Sequence, residues 1–133
     1  MTTRHAACCC RQLCVTCTGE PVRVSICHCL DCQRRTGSAF GYQAQFPRAQ
    51  VSVAGEAAKF VRTADSGNSA TFSFCPRCGS TVYWEPQALP DRIYVAAGVF
   101  ADPEFLPPRH SVYEARRHSW VALSTGADME HLD

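Results

Sequence analysis

The sequence contains ten cysteines in 133 residues, and their grouping limits the folds open to the chain more than any other feature. They fall into three groups, at residues 8–17, 27–32 and 75–78. The first seven residues lack the apolar run of a secretion signal, so we expect a cytoplasmic protein with reduced thiols. In that compartment, clustered cysteines indicate metal ligands or catalytic thiols rather than disulfide bonds.

Length and charge narrow the class of protein further. A chain of this length with 46% hydrophobic residues is the size of one domain, spanning residues 1–133, and is long enough to bury a core. The formal net charge of +1 argues against a protein that binds nucleic acid through its phosphates. The longest apolar stretch, residues 93–101, is too short to cross a bilayer, so we expect no membrane partner.

Short runs of β-type residues, separated by turn-forming residues, make up most of the chain. One helical segment runs from about residue 30 to 36 and stops at Gly37, a residue suited to a helix C-terminal cap. From about residue 102 the chain is predicted to be irregular, with a loose end from about Gly126. The sequence therefore predicts a mainly β domain with little helix. Its expected strands lie at residues 13–18, 22–26, 39–46, 51–53, 58–62, 70–74, 81–84 and 93–100.

The third cysteine group has the clearest local geometry. Cys75 and Cys78 are separated by two residues, of which the first is proline, and Gly79 follows. Proline presets φ early in such a turn and glycine tolerates positive φ, so the two sulfurs are expected to face one metal as a zinc knuckle. A closed structural zinc site needs two further thiolates. Spacing alone offers two donors for them, the pair Cys29 and Cys32 or the pair Cys8 and Cys10.

The second group, C-H-C-L-D-C at residues 27–32, is the most unusual. Cys27 and Cys29 share one face of an extended segment, and Cys32 follows after the chain turns into the short helix. Three sulfurs converging with a fourth position open is the pattern of a catalytic zinc. If this group keeps all three cysteines, Cys8 and Cys10 must complete the knuckle site. The alternative zinc ribbon would leave Cys27 beside a zinc that it does not bind.

The remaining candidates have ordinary interpretations. Cys14 and Cys17 lie three residues apart in a predicted strand, where their side chains point to opposite faces, so we interpret them as strand residues. Cys9 is interpreted in the same way. His28 lies between two predicted ligands and should face away from their metal, with a supporting hydrogen bond as its expected role.

The motifs together resemble a known family. C-x-C stands near the N-terminus, C-H-C-x-x-C is followed by T-G-S-A-F at residues 36–40, and C-x-x-C-G comes further on. In this order the sequence resembles the glutathione-dependent formaldehyde-activating enzyme family, which also includes centromere protein V. The likeness covers about residues 6–100. One departure is that Arg11 and Gln12 follow the first C-x-C, where the family usually has glycine and a small residue.

This resemblance implies a partition of the cysteines between two zinc ions per chain. It implies a Mss-four-like fold of twisted β-hairpins stapled by zinc. It also implies a carbon–sulfur lyase that condenses formaldehyde with glutathione to S-hydroxymethylglutathione, so the expected partners are a small-molecule thiol and aldehyde. The implied structural site consists of Cys8, Cys10, Cys75 and Cys78, and the implied catalytic site of Cys27, Cys29 and Cys32.

Glutathione carries two carboxylates, which need cationic partners. Arg34 and Arg35 directly follow the second cysteine group and are the best local candidates, although an exposed helical face is as good an interpretation. Ser38 could donate a hydrogen bond near the metal or serve in a turn. A basic stretch near the C-terminus could close over the site or be solvated, and it comprises Arg109, His110, Arg116, Arg117 and His118.

Two other functions are compatible with the cysteine pattern. In the first, both zinc ions are structural and the domain binds a protein or nucleic acid. In the second, the surplus cysteines serve in redox chemistry or metal buffering. The open fourth position of the second group favours an enzyme over the binding module. The redox interpretation ranks last, because Cys14 and Cys17 are badly placed in their strand for chelation. A homodimer formed through exposed strand edges is a further expectation.

Overall fold

The computed structural model describes residues 1–64, 66–123 and 128–133 and has a mainly β architecture with one short α-helix. The predicted loose end from Gly126 begins outside the described residues. The helix is α1 (Leu30–Thr36), and short 3₁₀ turns occupy Arg48–Gln50, Ala97–Phe100 and Glu114–Arg116. The strands are β1 (Thr3–Ala7), β2 (Cys14–Thr18), β3 (Arg23–Cys27), β4 (Gly41–Pro47), β5 (Val51–Ala54), β6 (Ala58–Thr63), β7 (Ser69–Phe74), β8 (Thr81–Pro86), β9 (Arg92–Ala96), β10 (His110–Val112) and β11 (Glu130–His131).

The strands form two sheets. One has three strands in the order β1-β2-β5, and the other has eight in the order β11-β10-β3-β4-β9-β8-β7-β6. Pairing is antiparallel except where β10 runs parallel to β3 and to β11. One hydrophobic cluster joins residues of both sheets, including the fully buried Leu13, Val15, Phe46, Val82 and Val95. The core therefore lies on one face of the large sheet, where the small sheet packs.

The opposite face of the large sheet carries a row of aromatic side chains. Tyr94 pairs with Trp84, Trp84 with Phe72, and Phe72 with Phe60, and directly opposed residues of antiparallel strands point to the same face. The rings stack, with centroids 5.8 Å apart for Tyr94 and Trp84 and 5.2 Å apart for Trp84 and Phe72. The Arg35 guanidinium of α1 lies 4.3 Å from the Trp84 ring centroid, so the helix sits over this face.

The helix agrees with its sequence prediction at both ends. It begins at Leu30, with the Cys29 sulfur accepting a hydrogen bond from the Cys32 backbone N–H at 3.3 Å. It ends where Gly37 takes up the left-handed conformation, with φ of 64°. A residue with a Cβ disfavours that conformation, which explains why the helix stops there. Within the described residues, no helix is long and apolar enough to cross a membrane.

Each of the predicted runs contains a strand, but the run at 93–100 was too long. Strand β9 ends at Ala96, and a 3₁₀ turn follows. Ala97 and Phe100 are both buried in the core, and residues three apart can share a face in a helical turn but not in a strand. Strand β1 was missed because residues 3–7 lack a β-type pattern and pair only through β2. Strand β10, in the segment predicted to be irregular, forms by pairing with β3.

Gly55 is required where the small sheet approaches the first cysteine group. Its φ is +102°, and an added Cβ would lie 2.0 Å from the carbonyl oxygen of Gln12. We expect Gly55→Ala to lower the free energy of unfolding by about 3 kcal/mol, measured by urea denaturation. Gly67→Ala is the matched control, since Gly67 has φ of +88° but nothing near its Cβ position. Gly67→Ala should lower the free energy of unfolding by only about 1 kcal/mol. Equal losses in the two variants would contradict the close approach of Gly55 to the Gln12 carbonyl.

Candidate metal centres

Four cysteine sulfurs converge at the junction of the two sheets, all within 4.8 Å of one another. We call Cys8, Cys10, Cys75 and Cys78 the four-thiol site. Cys8 follows β1 and Cys75 follows β7, and both are buried in the core cluster. The Cys10 sulfur lies 3.6 Å from those of Cys8 and Cys75. The site therefore joins segments that are more than sixty residues apart in the chain.

Backbone N–H groups point at the sulfurs of this site. Leu13 N–H donates to the Cys8 sulfur at 3.3 Å, and Arg77 N–H donates to the Cys75 sulfur at 3.3 Å. The turn after Cys10 and the turn after Cys78 each contain a residue with positive φ, Arg11 in the first and Gly79 in the second. Hydrogen bonds donated to sulfur favour the thiolate, which is the form that binds a metal. The donor set therefore fits a soft divalent cation and is compatible with zinc.

Two side chains that the sequence analysis did not single out as functional support these sulfurs. The Gln12 amide donates to the Cys75 sulfur at 3.0 Å and to the Glu56 carbonyl at 2.7 Å. The Ser80 hydroxyl lies 3.4 Å from the Cys78 sulfur, and hydrogen bonds from its side chain and backbone lower the pKa of Cys78 to about 5. Gln12 was visible in the sequence only as a departure from the family pattern.

The second group, which we call the three-thiol site, consists of Cys27, Cys29 and Cys32, whose sulfurs also lie within 4.8 Å of one another. Cys27 ends β3, Cys29 caps α1, and Cys32 lies in the first helical turn. Hydrogen bonds from the Cys27 and Cys29 thiols lower the pKa of Cys32, and the positive charges of Arg35 and Arg62 add to this. Hydrogen bonds with the Cys29 and Cys32 thiols raise the pKa of Cys27. The site thus favours at least one thiolate before any metal binds.

His28 faces away from the three sulfurs, as the alternation along the chain predicts. It is completely buried, and its Nε2 lies 2.9 Å from the hydroxyl of Ser111 on β10. Its backbone N–H donates to the Val112 carbonyl at 3.0 Å. His28 is not part of either sulfur group, and its contacts attach β10 behind the three-thiol site.

The three predicted substrate-binding residues, Arg34, Arg35 and Ser38, lie in different surroundings in the structure. Arg35 is partly buried beside Cys32, and its Nε and Nη2 are buried without a hydrogen-bond partner. Burial lowers the pKa of its guanidinium, and the negative charge of Cys32 acts in the opposite direction. Arg34 is 76% exposed in its side chain and lies 3.6 Å from Asp31. Ser38 is exposed, and its backbone N–H donates to the Thr36 hydroxyl, which fits the turn interpretation. Of the three, Arg35 is the one that lies beside the three-thiol site.

The basic C-terminal stretch divides into two parts. His110 lies on β10 and faces Glu130 at 3.2 Å, and the Arg109 backbone donates to Val24. The second part lies against α1, because the Gln33 amide donates to the Arg116 carbonyl at 3.0 Å and its oxygen lies 2.8 Å from His118 Nε2.

The surplus cysteines lie outside both sulfur groups. Cys17 is fully buried on β2, and burial raises the pKa of its thiol to about 11. Cys14, also on β2, donates its thiol hydrogen to the Arg11 carbonyl at 3.0 Å. Cys9 is exposed, and its backbone N–H donates to Ser80.

The β fold carries two separate cysteine groups, one of four thiols and one of three. This defines a class of protein with two candidate metal sites made of cysteines. Residues 3–116 match the family model described as glutathione-dependent formaldehyde-activating enzyme. The chain belongs to this family, which confirms the resemblance drawn from its motifs. The match covers both sulfur groups and α1.

The fold also has a solved relative. A crystal structure of a protein from Rhodobacter sphaeroides superposes with a TM-score of 0.56 at 19% identity, covering 79% of this chain and 92% of that one. At this identity the likeness concerns the fold alone. A comparison with curated proteins found no match.

Proposed function

We propose that this protein is a zinc-dependent carbon–sulfur lyase that forms or cleaves the adduct of a thiol, glutathione or a similar molecule, with formaldehyde or another small aldehyde. The observation that carries the proposal is the difference between the two sites. The four-thiol site has the full ligand set of a structural zinc, whereas the three-thiol site has one ligand fewer. Family membership supports the same chemistry.

The residues present fit two zinc ions. Cys8, Cys10, Cys75 and Cys78 would hold one, and Cys27, Cys29 and Cys32 would hold the other. At the three-thiol site, zinc would supply a Lewis acid that lowers the pKa of a nearby thiol and polarises a carbonyl. A binding module with two structural zinc ions has no need for a site with one ligand fewer.

The proposed reaction is the addition of a thiol to a carbonyl group. In the forward direction the substrate sulfur bonds to the carbonyl carbon, the carbonyl π pair moves to oxygen, and oxygen takes up the proton that the thiol lost. Cleavage reverses each of these changes. The chain would contribute electrostatically, because the Arg35 guanidinium lies beside Cys32 and would counter the negative charge of the thiolates.

Proton exchange spectroscopy of formaldehyde with glutathione tests the proposal. The condensation occurs without catalyst, so the observable is the exchange rate between free and bound formaldehyde. We expect the zinc-loaded protein to accelerate this exchange and Cys29→Ser to abolish the acceleration. Cys14→Ser is the matched control, because Cys14 lies outside both sulfur groups, and it should keep the full rate. No acceleration by protein carrying two zinc ions per chain would contradict the glutathione–formaldehyde activity.

A further inference from the structure

A groove of about 450 Å³ opens beside the three-thiol site, between α1 and strands β6 and β7. Its lining combines two kinds of side chain. We call it the arginine–phenylalanine groove after Arg34, Arg35, Arg62, Phe60, Phe72 and Phe74. Arg35 lines the groove and also lies beside Cys32 on α1, so the groove begins within one helical turn of the three-thiol site. The Nε and Nη2 of Arg35 are buried without a hydrogen-bond partner.

The groove has an excess of positive charge. Among the described residues that line the groove, Asp31 is the one acidic side chain, and its carboxylate faces Arg34 at 3.6 Å. In the part of the chain that the structure describes, none of the ion pairs involves Arg35 or Arg62. Two guanidinium groups therefore lie at the groove without a carboxylate partner, a state that favours an anionic ligand.

The groove also presents apolar surface. Phe60 is 61% exposed on the edge strand, directly opposite Phe72 in the sheet register. The Arg62 guanidinium lies 4.7 Å from the Phe72 ring centroid, so charge and aromatic face adjoin each other. Phe72 is itself buried, so the exposed apolar surface here belongs to Phe60. An aromatic ring laid against Phe60 would remove that surface from water. Glutathione offers two carboxylates but no apolar side chain, so it would match the charge of this groove and leave Phe60 uncovered.

We propose that the arginine–phenylalanine groove binds an aryl carboxylate, and that the substrate thiol is of this class. The ring would lie against Phe60 with its carboxylate at Arg62, leaving a thiol substituent directed to the three-thiol site. The statement about the thiol rests on the proposed function, whereas the statement about aryl carboxylate binding does not.

A ligand without a thiol tests the groove by itself. Titration calorimetry of the zinc-loaded protein would use 4-methylbenzoate, its neutral amide 4-methylbenzamide, and aliphatic pentanoate. We expect 4-methylbenzoate to bind about tenfold more tightly than either of the other two, since only it matches both charge and ring. Equal affinities for the three ligands would overturn the proposal.

Variants then assign the binding to named residues. Arg62→Gln should weaken 4-methylbenzoate about tenfold and leave the amide unchanged, because only the charge contact is lost. Phe60→Ala should weaken both aromatic ligands by a similar factor and leave pentanoate unchanged. Both residues lie on an edge strand, and a circular dichroism spectrum checks that the fold is kept. Arg109→Gln, an exposed arginine away from the groove, is the control, and no effect of Arg62→Gln would overturn the proposal.

A second measurement separates this inference from the lyase activity. Formaldehyde exchange would be measured with 4-(mercaptomethyl)benzoate and with glutathione, and the former should reach half-maximal acceleration at about tenfold lower concentration. If 4-methylbenzoate binds but no thiol is accelerated, the groove stands and the lyase proposal fails. If glutathione is accelerated while 4-methylbenzoate does not bind, the lyase stands and the groove inference fails.

Discussion

Replacing Cys32 with serine is expected to abolish the proposed carbon–sulfur lyase activity, while the zinc-loaded protein keeps its fold and the zinc proposed for the four-thiol site. Cys32 lies on a helix of seven residues, and none of its ligand partners belongs to the core junction of the two sheets. Removing one of three thiolates leaves too few ligands for a tight zinc site. Activity should fall at least about 100-fold, and zinc per chain, measured by native mass spectrometry, should fall from two to one.

Two comparisons make the Cys32→Ser experiment decisive. Cys14→Ser should leave activity and both metals unchanged, because its thiol donates only to a carbonyl oxygen. Circular dichroism should give the same spectrum for Cys32→Ser as for the unchanged protein. Global unfolding of Cys32→Ser would instead make the three-thiol site a structural one, and the catalytic proposal would then lose its main support.

Cys8→Ser is expected to remove the other metal and unfold the protein. Cys8 is 1% exposed and belongs to the core cluster shared by the two sheets. A structural zinc contributes about 10–16 kcal/mol of apparent binding free energy, which is as large as the whole free energy of unfolding of a typical domain, about 5–15 kcal/mol. Thermal denaturation followed by circular dichroism should show no cooperative transition in the variant, and chelation of the unchanged protein should have the same effect.

Cys17→Ser provides the matched control for Cys8→Ser. Cys17 is also fully buried in the core cluster but lies outside both sulfur groups. The change places a hydroxyl in an apolar site and should cost about 1–3 kcal/mol, with cooperative unfolding retained. If the two variants lose the same stability, Cys8 is an ordinary core residue and the four-thiol site does not hold the fold together.

Much of the candidate metal chemistry could be predicted because it depends on local spacing. The turn at residues 75–79 and the short helix after Cys29 are formed by neighbouring residues, and both were predicted from the sequence. Spacing alone left the partner of the knuckle pair open between two cysteine pairs. That choice depends on which distant segment reaches Cys75, and the structure brings Cys8 and Cys10 there.

The sequence could not show which of the two candidate substrate-binding arginines lies at the three-thiol site. Arg34 and Arg35 are adjacent in sequence and identical in chemistry, so no local pattern distinguishes them. In the structure, Arg35 turns onto the sheet, where Gly41 leaves room for it, since a Cβ there would lie 2.7 Å from its Nη2. Arg34 points to solvent. The roles of Gln12 and Ser80 were missed for a related reason. The sulfur partner of Gln12, on Cys75, lies on a distant segment of the chain. Ser80 reaches the Cys78 sulfur only once the turn around residues 75–79 has folded.

The sequence by itself determined the fold class, the α1 boundaries and the turn at residues 75–79, because each follows from short-range periodicity, capping or turn-forming residues. Tertiary structure alone decided that β1 and β10 exist, which arginine reaches Cys32, and that Phe60 and Arg62 of an edge strand face α1 across a groove. These features depend on strand register between segments far apart in the chain. Register is fixed by burial of the whole sheet face rather than by any local run of residues.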